Sequence, residues 1–222
     1  MYNDNVKIDI FVNGPHLIWL KSKFENEQSI KIVSFENRLQ YFSSNFVTEH
    51  SLDDVAFSIH WPQKFDEKFL NSYKYALNIH PGYLPIGRGT YPIFWNILEN
   101  TKAGVTVHQM TSEIDSGPVL LRQEINYGVN DSSGDLWNEI HKLEKSLILK
   151  TIQMLLNETT LEFYVPKEPK GILRKKSEFL QILNEPPKHN LTPEQLKRLK
   201  LAFTHHDYDL PEWINNFKNH DR

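Results

Sequence analysis

The order of hydrophobic and polar residues predicts a chain in which strands and helices alternate. Strands are predicted at residues 6–12, 30–35, 55–61, 75–80, 104–110 and 119–127; apolar and polar residues alternate in 6–12 and 104–110, and 55–61 is an apolar run. Helices are predicted between them at residues 16–25, 66–75 and 91–99. Strands that alternate with helices are typical of α/β proteins, so we expect a mainly parallel central sheet flanked by helices.

The last third of the chain is predicted to contain one long helix, after which the amino-acid composition changes. Apolar residues recur at helical spacing over residues 135–156, and Ser132, Ser133 and Asp135 suit its N-terminus. A short strand is predicted at 161–165. After Pro166 come a turn and a basic cluster, and Thr192 opens a further helix. We therefore predict a core domain over residues 1–166 and a small C-terminal appendage over 167–222.

Composition narrows the class of protein. Hydrophobic residues make up 39% and aromatic residues 12% of the 222 residues, enough for a packed core. The net charge of −3 gives no electrostatic reason to expect nucleic-acid binding. The absence of cysteine excludes disulfides and thiolate metal sites. With no signal-peptide pattern and no apolar run of about 20 residues, we expect a cytoplasmic protein with no membrane partner.

Three polar residues near predicted strand ends form the strongest candidate for chemistry. Asn78 and His80 lie two apart in one predicted strand, so their side chains point to the same face. Asp115 follows the next strand along the chain. An amide can stabilise an oxyanion, an imidazole can take up a proton near neutral pH, and a carboxylate can orient that imidazole. Each residue alone is most often structural, so only the joint pattern indicates catalysis.

The turn after the first predicted strand argues against a nucleotide cofactor of the dinucleotide type. Asn13-Gly14-Pro15 has one glycine where the dinucleotide-binding turn has three, and no phosphate-binding loop of the Walker type occurs. A phosphate cradle at this turn is therefore not expected.

The segments around the polar residues resemble a known family. Residues 77–92, LNIHPGYLPIGRGTYP, resemble the N-x-H-P-[GS]-x-L-P motif of the 10-formyltetrahydrofolate-dependent formyltransferases. Residues 104–108 and 114–119 resemble the next two blocks of that family, in the same order. The resemblance implies a Rossmann-like formyltransferase fold and the donor 10-formyltetrahydrofolate, with no metal. It also implies that Asn78 and His80 stabilise the intermediate while Asp115 orients His80.

The resemblance also implies where the pterin of the folate binds. The candidate cofactor-binding residues lie in the loop after the 55–61 strand and in the segment that leads to Asp115: Gln63, Lys64, Phe65, Met110, Ile114 and Gly117. A solvated loop is an equally good interpretation of Gln63 and Lys64. His108 resembles a position that flanks the site, and a structural role is also open for it.

The acceptor is expected to be a nucleotide-linked amino sugar. Residues 88–97 resemble a stretch of the sugar N-formyltransferases, whose usual substrates are dTDP-linked 4-amino-4,6-dideoxyhexoses that feed O-antigen or related glycans. Candidate substrate-binding residues are cationic or aromatic side chains that suit a diphosphate or a base: Arg88, Lys21, Tyr91 and Trp95. For Trp95 a place in the core, and for Arg88 a role in holding its own loop, remain open.

Other interpretations stay open at this point. A methionyl-tRNA formyltransferase with a reduced C-terminus is disfavoured because residues 167–222 carry 11 Lys or Arg against 8 Asp or Glu, a net charge of only +3. A catalytically inactive formyl-folate-binding protein would not need all three polar residues. Metal binding at His205-His206-Asp207 is a weak alternative. A homodimer is expected by analogy, through the apolar appendage residues Ile172, Leu173, Phe179, Leu180 and Ile182.

Overall fold

The protein contains a six-stranded sheet with helices between the strands. The computed structural model describes residues 6–39, 53–157, 160–205 and 209–217. The strands are β1 Ile8–Val12, β2 Ile30–Ser34, β3 Val55–Ile59, β4 Tyr75–His80, β5 Ala103–Gln109 and β6 Val119–Ile125. They are ordered β2-β1-β3-β4-β5-β6. The prediction of an α/β fold is confirmed.

Strand direction explains where polar side chains can collect. β1 pairs in parallel with β2 and β3, and β3 pairs in parallel with β4. β5 runs antiparallel to β4. Ligands of open parallel sheets bind beyond the carboxyl ends of the strands, which is where β4 ends at His80. The central strands β1 and β3 are buried along their whole length, as expected for strands covered on both faces.

The helices are mostly short. Their bounds are α1 Leu17–Lys23, α2 Glu67–Leu70, α3 Pro92–Glu99, α4 Ser133–Leu156, α5 Lys176–Asn184, α6 Pro193–Phe203 and α7 Glu212–Asn216, with a 3-10 turn at Phe35–Asn37. Among the described residues, no helix combines the length and the apolar character that crossing a membrane requires.

Both predicted helix starts after residue 130 are confirmed by their capping contacts. The Asp135 amide donates to Ser132 Oγ at 3.2 Å, and the Ser132 amide donates to Asp135 Oδ2 at 2.9 Å. The same exchange joins Thr192 and Gln195, at 3.2 Å and 2.8 Å. These reciprocal bonds satisfy backbone N–H groups that the first turn of a helix leaves without partners.

Two predicted elements are wrong in extent. The helix predicted at residues 66–75 spans only Glu67–Leu70, because Tyr73 leaves the helical path, packs in an apolar cluster and donates its hydroxyl to Asp9 at 2.8 Å. The strand predicted at 161–165 is a single bridge between Val119 and Tyr164. The next residue, Val165, is 79% exposed, so its side chain gains no burial that would favour a longer strand.

Backbone proximity divides the chain into two compact units. The first comprises residues 1–80, 106–122 and 144–166; its core includes Phe11, Phe65 and Phe69. The second comprises residues 81–105, 123–143 and 167–222. Residues after Pro166 therefore group with two earlier segments, and the assignment of residues 1–166 and 167–222 as domains stays a prediction.

One expected dimerisation residue is not available. Phe179 is 2% exposed, because within the second unit its ring stacks on Tyr91 at 4.1 Å and contacts Phe94 and Phe203. Ile172 and Leu180 are exposed, as that prediction requires. An interface through the appendage would therefore use these outer residues rather than Phe179.

Candidate active site

Asn78 and His80 lie at the carboxyl end of β4. Their neighbours Leu77 and Ile79 are buried and anchor the strand in the sheet. Asn78 is half-buried, and His80 is 6% exposed. In the antiparallel register of β4 and β5, Asn78 lies directly opposite His108. The strand pairing thus brings a second imidazole to the pair that the sequence predicts.

Asp115 is held in a tight loop that joins β5 to β6. The loop is closed by the Gln109 amide donating to the Pro118 carbonyl at 2.9 Å and the Met110 amide donating to the Ala76 carbonyl at 2.6 Å. Asp115 adopts a φ of 51°, in the left-handed region, which is uncommon for non-glycine residues and which Asp tolerates better than most. Strained conformations of this kind persist where the surrounding structure enforces them, which is common at functional sites.

The loop places the Asp115 carboxylate between two imidazoles. Oδ2 lies 3.7 Å from Nδ1 of His80, and Oδ1 lies 3.7 Å from Nε2 of His108. Both distances exceed a direct hydrogen bond; an ion pair forms only with an imidazole that is protonated.

His108 is held neutral and fixes the orientation of Asn78. Burial lowers the pKa of His108 to about 4, against the opposing attraction of Asp115. Its Nδ1 lies 3.0 Å from the Gln109 carbonyl oxygen, which can only accept, so Nδ1 carries the hydrogen. Nε2 then accepts from the Asn78 amide nitrogen at 3.2 Å. An amide nitrogen has two N–H groups, so a second donor remains for a ligand at this site.

The arrangement combines an oriented amide donor, an imidazole beside a carboxylate, and a neutral buried imidazole. A carbonyl carbon under attack needs a donor for the developing oxyanion and a route for a proton. Asn78 suits the first task, and His80 with Asp115 suits the second. The site therefore suits acyl-type transfer.

Comparison with known proteins agrees with this geometry. Residues 35–152, more than half of the chain, match the family described as formyl transferase. The chain belongs to the formyl transferase family. A dTDP-4-amino-4,6-dideoxyglucose formyltransferase of Mycobacterium bovis is 30% identical over 161 residues, which cover 70% of this chain and 65% of that protein. The match thus spans slightly less than two thirds of the relative.

Two further comparisons extend this result. A methionyl-tRNA formyltransferase of Syntrophus aciditrophicus is 30% identical over 120 residues, 49% of this chain and 38% of that protein. The crystal structure of an N-formyltransferase from Helicobacter canadensis, in complex with folinic acid and dTDP-3-aminofucose, superposes with a TM-score of 0.74 at 20% identity. That alignment covers 93% of this chain and 84% of the other. At this identity the superposition shows a shared fold.

The residues expected to bind the cofactor fall into two groups in this member of the family. Phe65 and Met110 belong to the apolar cluster of the first unit, where the Phe65 ring stacks on Phe69 at 4.1 Å. Gln63 and Lys64 are exposed in the loop after β3, and Ile114 is 46% exposed. Their binding roles stay predictions; the exposed group offers side chains that a ligand can reach.

Gly117 has a clear structural requirement. A Cβ atom on Gly117 would lie 1.8 Å from the Gln109 carbonyl oxygen, so only glycine allows the loop to close this tightly. The same carbonyl oxygen accepts from His108. Gly117 therefore supports both Asp115 and His108, whatever contact it makes with a cofactor.

The expected substrate-binding residues Arg88, Tyr91 and Trp95 lie in the second unit and take part in its packing. Arg88 is 7% exposed. Trp95 donates Nε1–H to the Thr90 carbonyl at 3.0 Å, and Tyr91 stacks on Phe179. Lys21, by contrast, is exposed on α1 in the first unit. Substrate contacts by these four residues stay predictions.

Arg174 is a supporting residue that the sequence did not reveal. Its guanidinium lies 4.4 Å from the Trp95 ring centre and forms ion pairs with Glu99 and Glu178. Its backbone pairs with Arg88 and Thr90, alongside Gly89. In the sequence Arg174 is one member of a basic cluster, and no local pattern links it to residues 88–99. It holds in place the loop that is expected to choose the acceptor.

Proposed function

We propose that this protein transfers a formyl group from 10-formyltetrahydrofolate to the amine of a nucleotide-linked amino sugar. The observation that carries the proposal is the convergence of Asn78, His80 and Asp115 at the end of β4, with His108 fixing the amide. A protein that only bound folate would have no need of this proton-transfer set.

Asn78 stabilises negative charge on the formyl oxygen. One of its N–H groups donates to His108, and the other is the donor proposed for the formyl oxygen. Because burial keeps the pKa of His108 low, the imidazole accepts this hydrogen bond throughout the neutral pH range. Loss of one oxyanion donor costs about 10²–10³ in rate in well-studied enzymes.

His80 and Asp115 move the proton that the reaction displaces. A bond forms between the acceptor nitrogen and the formyl carbon, the bond from that carbon to the folate nitrogen breaks, and one proton passes from the first nitrogen to the second. His80 takes up this proton and returns it, while Asp115 stabilises the imidazolium and fixes the ring. The enzyme ends in its starting protonation state.

The chemistry of the side chains fits a folate donor. The loop after β3 contributes Gln63 and Lys64, and Met110 and Ile114 flank the segment that carries Asp115. Such a set offers polar contacts for a pterin edge beside apolar surface for its ring. We assign these residues to donor binding; 10-formyltetrahydrofolate would supply the formyl group, and none of the proposed steps uses a metal.

The proposed acceptor is a dTDP-linked amino sugar, with dTDP-4-amino-4,6-dideoxyglucose as the first candidate. The support is the activity named for the Mycobacterium bovis relative and the dTDP-3-aminofucose in the complex of the Helicobacter canadensis enzyme. Arg88, Tyr91, Trp95 and Lys21 are the residues proposed to contact it. The same proposal includes a role in the synthesis of O-antigen or related glycans, a cytoplasmic location and a homodimeric state.

The test is an incubation of the purified protein with 10-formyltetrahydrofolate and a panel of acceptors, read by mass spectrometry. The panel contains dTDP-sugars with an amine at C3 or C4, the corresponding UDP-sugars, and methionyl-tRNA. The proposal expects a gain of one formyl group on a dTDP-amino sugar, abolished in His80→Ala. Formylation of the charged tRNA without formylation of any sugar would overturn the choice of acceptor. No formylated product from any acceptor would overturn the function.

A further inference from the structure

A second cluster of ionisable side chains is buried in the first unit. His16 follows the turn after β1, His60 follows β3 directly, and Glu144 lies in the middle of α4. Nε2 of His16 lies 2.8 Å from Glu144 Oε2, and Nε2 of His60 lies 3.0 Å from Oε1 and 3.1 Å from Oε2. Three elements remote in sequence thus place two imidazoles on one carboxylate.

The cluster is unusual in its burial and charge. The side chains of His16 and Glu144 are 0% exposed, and that of His60 is 24% exposed. The Glu144 carboxylate thus lies wholly in the core, between two imidazoles. Buried charges in proteins are usually paired or coordinate a metal.

The spacing of the ligand atoms suits a metal ion. The ligand atoms of the three side chains lie within 4.8 Å of one another. Tetrahedral zinc with Zn–N and Zn–O bonds near 2.05 Å sets its ligand atoms about 3.3 Å apart. The observed separations of 2.8–3.1 Å between nitrogen and oxygen need to open by only a few tenths of an ångström. Two imidazoles with one carboxylate are a ligand set that divalent transition metals prefer.

The backbone of His60 gives independent support. Its φ of 52° is in the left-handed region, which is uncommon for a non-glycine residue, although histidine occurs there more often than most. A residue held in this region at the end of a buried strand is often one whose side-chain direction matters. The same imidazole is partly exposed, so solvent reaches one of the three side chains.

We propose that His16, His60 and Glu144 bind a divalent transition-metal ion of the zinc class. The ion would replace the protons that now join the imidazoles to the carboxylate, and it would tie the β1–α1 turn, the end of β3 and α4 together. This site uses none of the residues assigned to formyl transfer.

The test is metal binding by the full-length protein, with Zn²⁺ as the probe. Protein stripped with EDTA and dialysed is titrated with Zn²⁺ by calorimetry, and metal content is measured by plasma mass spectrometry. Co²⁺ loading reports coordination by its visible spectrum. We expect one equivalent of Zn²⁺ per chain, a tetrahedral Co²⁺ spectrum, and a rise in the unfolding temperature with Zn²⁺ that Mg²⁺ does not produce.

Matched variants assign the site. Glu144→Gln removes the carboxylate, and His60→Asn removes an imidazole while keeping a residue that tolerates the left-handed backbone. Each is expected to weaken Zn²⁺ binding by at least about 100-fold, since removing even an outer partner of a ligand can cost that much. Glu139→Gln makes the same change on an exposed part of α4, 58% exposed, and should leave binding unchanged.

The outcomes separate a metal site from a purely hydrogen-bonded cluster. If the wild-type protein binds less than a tenth of an equivalent and Zn²⁺ leaves its unfolding temperature unchanged, the proposal is wrong, whether or not the variants fold. Equal Zn²⁺ affinity in wild type and His60→Asn would also overturn it. His60 is partly exposed, so this variant remains a test if Glu144→Gln fails to fold.

Discussion

Replacement of Gly117 by alanine should disable the site without unfolding the protein. The new Cβ would lie 1.8 Å from the Gln109 carbonyl oxygen, whereas Cβ atoms essentially never come closer than 3.0 Å to another atom. The backbone must therefore move by about 1.2 Å. That carbonyl anchors His108 at 3.0 Å, and Gly117 lies two residues after Asp115.

The magnitude follows from this displacement. A misplacement of about 1 Å at catalytic groups can cost about 10²-fold in rate. We expect Gly117→Ala to lower kcat for sugar formylation about 100-fold or more, and to cost about 1–3 kcal/mol of stability through overpacking. The assay is formylation followed by mass spectrometry, with urea unfolding of the same sample.

Gly128→Ala is the matched control. A Cβ there meets its nearest atom, Asp131 Oδ1, at 3.5 Å, an ordinary contact, so activity and stability should stay near wild type. If Gly117→Ala kept kcat within about twofold of wild type, the argument that the loop positions Asp115 and His108 would be refuted.

Three further predictions concern stability. Folding lowers the pKa of His108 from 6.5 to about 4, so the stability contributed by the neutral imidazole is present above pH 6.5 and is lost as the pH falls toward 4. In His108→Gln, the fall in unfolding free energy between pH 7 and pH 4.5, measured by urea titration, should be smaller by up to about 3 kcal/mol. Arg174→Met should lower the free energy of unfolding by about 1–2 kcal/mol, because it removes two ion pairs and the contact of the guanidinium with the Trp95 ring. The control Arg198→Met breaks one ion pair within its own helix and should lower it by less than about 0.5 kcal/mol in the same assay. Thr192→Ala should lower the free energy of unfolding by about 1 kcal/mol through loss of the cap, and no change would contradict the capping assignment.

Local patterns are sufficient to predict most of the sheet. The predicted strand at residues 75–80 coincides with β4, and the capping residues Ser132 and Thr192 mark helix starts as expected. These features depend on side-chain alternation and on contacts within four residues, which a sequence displays directly. The helix predicted over 66–75 is wrong because Tyr73 is drawn into the core by contacts with distant residues.

The sequence predicts only some of the residues that the fold brings together at the candidate active site. Asn78 and His80 share a face by strand alternation, but the pairing of Asn78 with His108 depends on the antiparallel register of β4 and β5. No local pattern fixes that register. The same limit applies to Arg174 over Trp95 and to His16 beside Glu144, which are 128 residues apart in the chain. Such contacts follow from topology rather than from local sequence.

The structure adds a packing role for the weakly basic segment after Pro166. The sequence alone predicts an appendage for dimerisation. Within the second unit its Arg174 and Phe179 pack on Trp95 and Tyr91, while its role in dimerisation stays a prediction. The segment therefore supports the loop expected to bind the acceptor, and its exposed Ile172 remains available for an interface.

The central claim is that His80 and Asp115 carry the proton transfer in formylation of a nucleotide-linked amino sugar. The most direct test is the steady-state rate of Asp115→Asn, which keeps the size of the side chain and removes its charge, with 10-formyltetrahydrofolate and the best dTDP-amino sugar of the panel. We predict that kcat falls by several orders of magnitude, as in His80→Ala, while KM for the sugar changes little. Full activity in Asp115→Asn would contradict the claim.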